Sequence, residues 1–77
     1  MLIPFWFRTS KGLGYGVTAA SQSEAETLLH TLGYPRNDEL VLEVIPVVRH
    51  ADLDQNHVTP NAGPLAVRGV WFPKHNV

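Results

Sequence analysis

Ser21-Gln22-Ser23-Glu24-Ala25-Glu26-Thr27-Leu28-Leu29-His30-Thr31-Leu32-Gly33-Tyr34-Pro35 is the stretch that decides the fold. Its two ends and its middle all describe one amphipathic helix. Ser21 followed three residues later by Glu24 is a capping box, in which side-chain oxygens accept from backbone N–H groups that the helix start leaves unpaired. Ala25, Leu28, Leu29 and Leu32 recur at i, i+3, i+4 and i+7, which puts one apolar stripe on the helix. Gly33 suits the left-handed position after the last turn, Tyr34 can pack back on Leu29, and Pro35 stops the helix from continuing. His30 lies off the stripe, one turn after Glu26, and reads as an exposed pair near the helix C-terminus.

Upstream of the helix, residues 2–8 alternate as a strand. Ile3, Phe5 and Phe7 share one face, and Leu2 and Trp6 the other. Pro4 cannot donate to a ladder, so this strand belongs at a sheet edge or has Pro4 near its start. Residues 10–14 are turn-forming, and Tyr15, Val17 and Ala19 resume the alternation, which predicts a hairpin. Downstream, residues 36–39 form a polar turn. Residues 40–48 are a β-rich, nearly continuous apolar run that reads as a mostly buried strand bent at Pro46. Residues 49–64 have no apolar periodicity and are rich in Asp, Asn, Gly and Pro; a loop of this length is usually functional or mobile. Residues 65–72 alternate again, with Leu65, Val67 and Trp71 on one face and Arg68, Val70 and Phe72 on the other, until Pro73.

The order is therefore strand, strand, helix, strand, long polar loop, strand. It predicts an α+β chain, a single domain over residues 1–77, with one helix covering one face of a four-stranded sheet. This ββαββ order is similar to that of ubiquitin-like β-grasp domains. The likeness is one of topology alone, because no residue motif of that family accompanies it, and topology does not carry function.

Composition narrows the function classes. The chain has 77 residues, no cysteine, two tryptophans, and six Lys/Arg against seven Asp/Glu for a net charge of −1. A core of this size only narrowly exceeds the entropy cost of ordering the chain, so a homo-oligomer or a protein partner is expected. Nucleic-acid binders take most of their affinity from phosphate contacts and carry a basic excess that is missing here. The apolar residues 1–7 end at Arg8 with no basic leader and no cleavage site, and no stretch is long enough to span a bilayer. A cytoplasmic protein without membrane attachment is the expectation.

Four groups of residues are candidates for a site. Gly12-Leu13-Gly14-Tyr15-Gly16 looks like a phosphate-binding glycine loop, but no helix follows it as a dinucleotide fingerprint requires, and no kinase lysine or metal-binding acids accompany it. Hairpin glycines explain it. His50, Asp52, Asp54 and His57, with Asn56 between, offer nitrogen and oxygen donors for a divalent metal. They do not complete a calcium loop, since His57 stands where a glycine and Gly63 where a glutamate is required. Catalysis without metal would use His50 or His57 beside an aspartate, yet no serine or threonine sits in a nucleophile motif. Finally, Trp6, Arg8, Lys11, Tyr15, Arg49, Arg68 and Trp71 combine aromatic and cationic side chains, as protein interfaces and single-strand binders both do.

The reading these observations favour is a small non-enzymatic protein-binding or regulatory protein (an inhibitor, immunity-type or adaptor subunit) that needs no cofactor. Its contact residues would come from Trp6, Arg8, Arg49, His50, Asp52, Asp54, His57, Arg68 and Trp71. The alternative is a metal-binding protein or metal-dependent phosphoester hydrolase built on His50, Asp52, Asp54 and His57. A single-stranded nucleic-acid-binding module comes third.

Overall fold

Two strands, β1 (Ile3–Thr9) and β2 (Tyr15–Ala19), pair antiparallel as the expected hairpin, with Phe5 opposite Val17 and Phe7 opposite Tyr15. The computed structural model describes residues 1–11, 14–35, 38–56, 58–59 and 62–73, and His50 by its backbone alone. The helix α1 (Gln22–Thr31), β3 (Val41–Pro46) and β4 (Gly69–Phe72) follow in the order read from the sequence. The sheet runs β3-β1-β2-β4 and is antiparallel at every pair. The first and last strands are therefore not neighbours, and the likeness to the β-grasp extends no further than element order.

The helix forms for the reasons its sequence states. The Ser21 Oγ accepts from the Glu24 backbone N–H at 3.1 Å, and the Glu24 carboxylate reaches back to the Ala20 N–H at 2.8 Å. At the other end Gly33 takes φ +83°, its N–H donates to the His30 carbonyl, and the Tyr34 N–H donates to the Leu29 carbonyl. Those two bonds are the Schellman arrangement, satisfying carbonyls that the last turn leaves open. Tyr34 then stacks on Tyr15, with ring centroids 4.6 Å apart. The inward face of the helix is narrower than its leucine pattern: Ala25 and Leu29 are buried, Leu28 is half-buried, and Leu32 is 46% exposed. Leu32 is the C-cap residue, where the chain is already leaving the helix.

Ala25 and Leu29 close over Phe5, Phe7, Tyr15, Val17 and Ala19, which is the main core. Pro4 lies in a central strand, so the edge placement fails and the other option stands: it is the second residue of β1. Gly14 has φ +107°, and a Cβ there would lie 2.5 Å from the Phe7 carbonyl oxygen, so the hairpin end requires glycine. Gly12 lies outside the described residues.

The opposite face of the sheet is covered as well, although no apolar periodicity marks the residues that cover it. Val48, Leu53, Val58, Trp71 and Phe72 form a second core cluster, flanked by Trp6, Ala62 and Leu65. The segment expected to be a structureless polar loop supplies Leu53 and Val58 to it. It folds through a 3₁₀ turn (His50–Asp52) and a turn in which the Asp54 carbonyl accepts from the Val58 and Thr59 N–H groups. The Asp54 side chain accepts from the Asn56 N–H at 2.8 Å, as aspartates in turns do. The buried Thr18 hydroxyl ties the returning chain to the sheet by donating to the Leu65 carbonyl at 2.6 Å.

The last strand is shorter than its alternation implied, because residues 65–68 are not in the ladder. Its register shifts between Gly16 and Val17: Val17 faces Val70 while Gly16 faces Phe72, leaving Trp71 as the extra residue. That bulge puts Trp71 and Phe72 in the same cluster, against the strict alternation expected of them. The Trp71 ring lies directly on Gly16, where a Cβ would stand 2.3 Å from its nearest atom. Gly16 is thus required for space, not for a left-handed backbone.

Candidate protein-binding surface

Strand β3 was expected to be buried, and it is the most exposed part of the sheet. It occupies one end of the strand order, with β1 as its one partner strand among the described residues. Of residues 40–47, only Val44 is half-buried, where it packs against the main core. Leu40, Val41, Leu42, Ile45 and Val47 are all exposed, with Leu40 and Val47 at 68%. A nearly continuous apolar run is the pattern of a strand with neighbours on both sides, yet here the outer side has none among the described residues. Edges of this kind are normally blunted by charge, proline or bulges. This one carries Glu43 as its single charge, a register shift against Arg8 and Thr9, and Pro46 at its end.

Immediately after β3, Val47 adopts φ 55°. The left-handed region is strained for a β-branched residue, at a cost of about 1–3 kcal/mol. The turn it makes carries the chain off the edge and over the second face, where the Val48 N–H donates to the Pro4 carbonyl at 3.1 Å. Between β3 and the returning chain lies a groove of about 370 Å³, lined by Trp6, Ile45, Val47, Val48, Leu53 and Val58, with Asp52 and Asp54 also contributing. Trp6 tilts against Trp71 and Phe72, with centroids 5.9 Å and 5.5 Å away, so the groove wall is fixed by the second core.

The residues singled out from the sequence separate into different places. Trp6, Asp52 and Asp54 meet at the groove. Arg8 pairs with Glu43 of β3 at 3.2 Å, and Arg49 pairs with Asp52 at 3.3 Å. Arg68 pairs instead with Glu24 at the start of α1, at 3.2 Å. Trp71 is 3% exposed and is a packing residue of the second core rather than a displayed one. The His50 side chain and His57 lie outside the described residues. Among the described residues no group of three or more His, Asp or Glu side chains is placed to hold a metal. Asp52 and Asp54 already accept hydrogen bonds from their own loop.

The same pairing removes a basic surface from the described chain. Arg8, Lys11, Arg49 and Arg68 each have a carboxylate partner, the Lys11–Asp38 contact being 2.7 Å. These pairs are exposed and contribute little stability. They do cancel the local field that would attract phosphates.

Arg49 also sets the protonation of Asp52. The guanidinium hydrogen bond, then the Arg49 backbone N–H, hold this carboxyl below its ordinary range. A depressed carboxyl contributes stability above its unfolded pKa and loses it as pH falls through its folded value. Arg49→Ala is expected to move the Asp52 titration upward toward the ordinary carboxylate value in an NMR pH series. An unchanged titration would show that Arg49 does not hold Asp52.

No helix among the described residues is long and apolar enough to cross a membrane. Compared with known proteins, the chain matches no family model, no curated protein and no solved structure.

Proposed function

We propose that this is a non-enzymatic protein-binding protein whose contact surface is the open edge of β3 together with the adjoining groove. The observation that carries the reading is the exposure of Leu42 and Ile45 on β3, and of Leu40 and Val47 at its two ends, with the strand's outer ladder positions unfilled among the described residues. An edge strand offers main-chain hydrogen bonds to an added strand, and a groove beside it receives alternate side chains. The groove walls are apolar and held by packed aromatics, which suits a docking surface more than a reaction centre.

Magnitudes favour a contact of moderate strength. Covering an exposed Leu, Ile or Val completely is worth about 1.5–3 kcal/mol, so the five partly exposed residues of this segment offer about 4–8 kcal/mol. Association costs about 4–15 kcal/mol in lost freedom and ordering. Apolar cover alone therefore only reaches the low end of that cost, and ladder hydrogen bonds have to supply the surplus.

The test is the double change Leu40→Lys/Leu42→Lys. Both side chains are exposed, so the melting temperature is expected to stay within a few degrees of wild type. Affinity for a partner captured from cells, purified and titrated against both proteins, is expected to fall at least tenfold. A partner that binds the double variant as it binds wild type would remove β3 from the contact.

A further inference from the structure

We infer that the strand covering the open edge of β3 is β3 of a second copy of this chain, paired antiparallel about a two-fold axis; this rests on the protein-binding role proposed for that edge. The two edges of the sheet are unequal. On β4 the chain's own Gly63 N–H donates to the Trp71 carbonyl at 2.7 Å, so backbone from the returning segment already occupies that side. The β3 edge has no such cover among the described residues. Self-pairing through one edge closes into a dimer, whereas two open edges would propagate a fibre.

The composition of β3 suits its own copy. Val41-Leu42-Glu43-Val44-Ile45-Pro46 carries one charge, and Arg8 of the same chain already holds it at 3.2 Å. A second copy thus meets apolar surface with apolar surface and brings no unpaired charge. Leu40 and Val47, the most exposed side chains of the segment, stand at its opposite ends. Antiparallel pairing brings the Leu40 end of one copy toward the Val47 end of the other.

Symmetry then fixes the register. In a two-fold antiparallel pair one residue faces its own copy. Centring on Glu43 would set like charges directly opposite each other, which is destabilising. Centring on Leu42 would leave only three residues of the strand paired with strand. Centring on Val44 sets Glu43 opposite Ile45 of the second copy and leaves Leu42, the bulged residue of β3, at the end of the ladder opposite Pro46. The ladder is short, because Pro46 has no N–H to donate. The contact therefore falls below a standard interface of about 800 Å² per partner, or about one-sixth of the 4902 Å² surface. Dimerisation is accordingly concentration-dependent.

The register makes a prediction in which the sign of charge decides. In sedimentation equilibrium of the full chain, the wild-type mass is expected to rise from 8.5 kDa toward twice that value with concentration. Ile45→Glu faces Glu43 of the second copy and is expected to weaken self-association at least tenfold. Ile45→Lys faces the same carboxylate with opposite charge and is expected to keep it. Within one chain position 45 meets mixed charge, with Arg8 diagonally across on β1 and Asp52 and Asp54 lining the same groove. The readout is the mass of the assembly and not the melting temperature, so a preference for lysine is scored on association alone. The double variant Glu43→Lys/Ile45→Glu restores opposite charges and is expected to recover self-association. A wild type that stays at 8.5 kDa at every concentration overturns the inference, as does equal loss with Ile45→Glu, Ile45→Lys and the double variant. If that monomeric wild type still binds a captured partner that Leu40→Lys/Leu42→Lys releases, the inference fails alone and the protein-binding reading stands.

Discussion

Alanine at Gly16 is expected to cost about 3 kcal/mol, the upper part of the usual range for overpacking a core. The added methyl would lie 2.3, 2.4 and 2.5 Å from three atoms of the Trp71 ring, closer than carbon atoms approach. The ring has nowhere to go, because Trp71 is 3% exposed and packed against Trp6 and within the second core. Moving it also strains β4, since Trp71 is the bulged residue between the pairs Gly16–Phe72 and Val17–Val70. A chain of 77 residues has a total stability of roughly 4–12 kcal/mol, so the change removes a large share of it. Two other glycines serve as controls. Gly63→Ala adds a Cβ at an ordinary 3.5 Å from the Trp71 Cβ and is expected to be nearly silent. Gly33→Ala meets nothing but keeps φ +83°, so it is expected to cost about 1 kcal/mol through backbone strain. Urea unfolding ranks the three. In a Trp6→Phe background, Gly16→Ala should also shift the Trp71 emission to the red as its ring is expelled. A loss below about 1 kcal/mol, with unshifted emission, would show that Trp71 does not pack on Gly16.

That contact illustrates what the sequence did and did not make legible. Local signals are sufficient for the helix: Ser21, Glu24 and Gly33 each do in the structure what their chemistry implies, and Tyr34 closes the end through its N–H while its ring stacks on Tyr15. The hairpin was equally readable, because alternation of Phe5 and Phe7 with Trp6 depends only on the pleat. Failures came where long-range packing overrides local pattern. The spacing of Leu53 and Val58 has no period, so nothing marked them as core until the chain was seen folded back over Trp71. The bulge at Trp71 reverses the expected face of Phe72, and alternation alone carries no sign of a bulge. Strand β3 shows the most instructive mismatch, since residues 40–48 have the composition of a strand with neighbours on both sides. Among the described residues β1 alone pairs with it, and the surplus apolarity is the ground for the proposed contact. Of the residues proposed for a site, Trp6, Asp52 and Asp54 converge on the groove. Trp71 has the type of an interface residue but is packed in the second core. Ile45 and Val47 carry no such mark, because apolar residues in a strand read as core.

The helix contact separates pattern from burial most sharply. Leu28, Leu29 and Leu32 are indistinguishable by type and belong to one sequence stripe, yet only Leu29 is fully enclosed, at 1% exposure. Leu29→Ala is expected to cost about 2–5 kcal/mol, the transfer term plus the cavity left beneath the helix. The site cannot collapse easily, because Ala25 beside it is already minimal and the facing Phe5, Phe7 and Val17 belong to the central strands. The Leu29 carbonyl also accepts from Tyr34, so tilting the helix to fill the void would pull on the Schellman end and on the Tyr34–Tyr15 stack. Leu32→Ala, at a position 46% exposed, is expected to fall within about 0.5 kcal/mol of wild type, and Leu28→Ala between the two. Each kcal/mol moves the melting temperature of a domain this small by about 4–8 °C, so the Leu29 variant should melt at least about 8 °C early. Thermal unfolding of the three alanine variants followed by far-UV circular dichroism measures the order directly. Equal losses at Leu29 and Leu32 would mean that the helix turns a different face to the sheet, and that the stripe read from the sequence was the better guide.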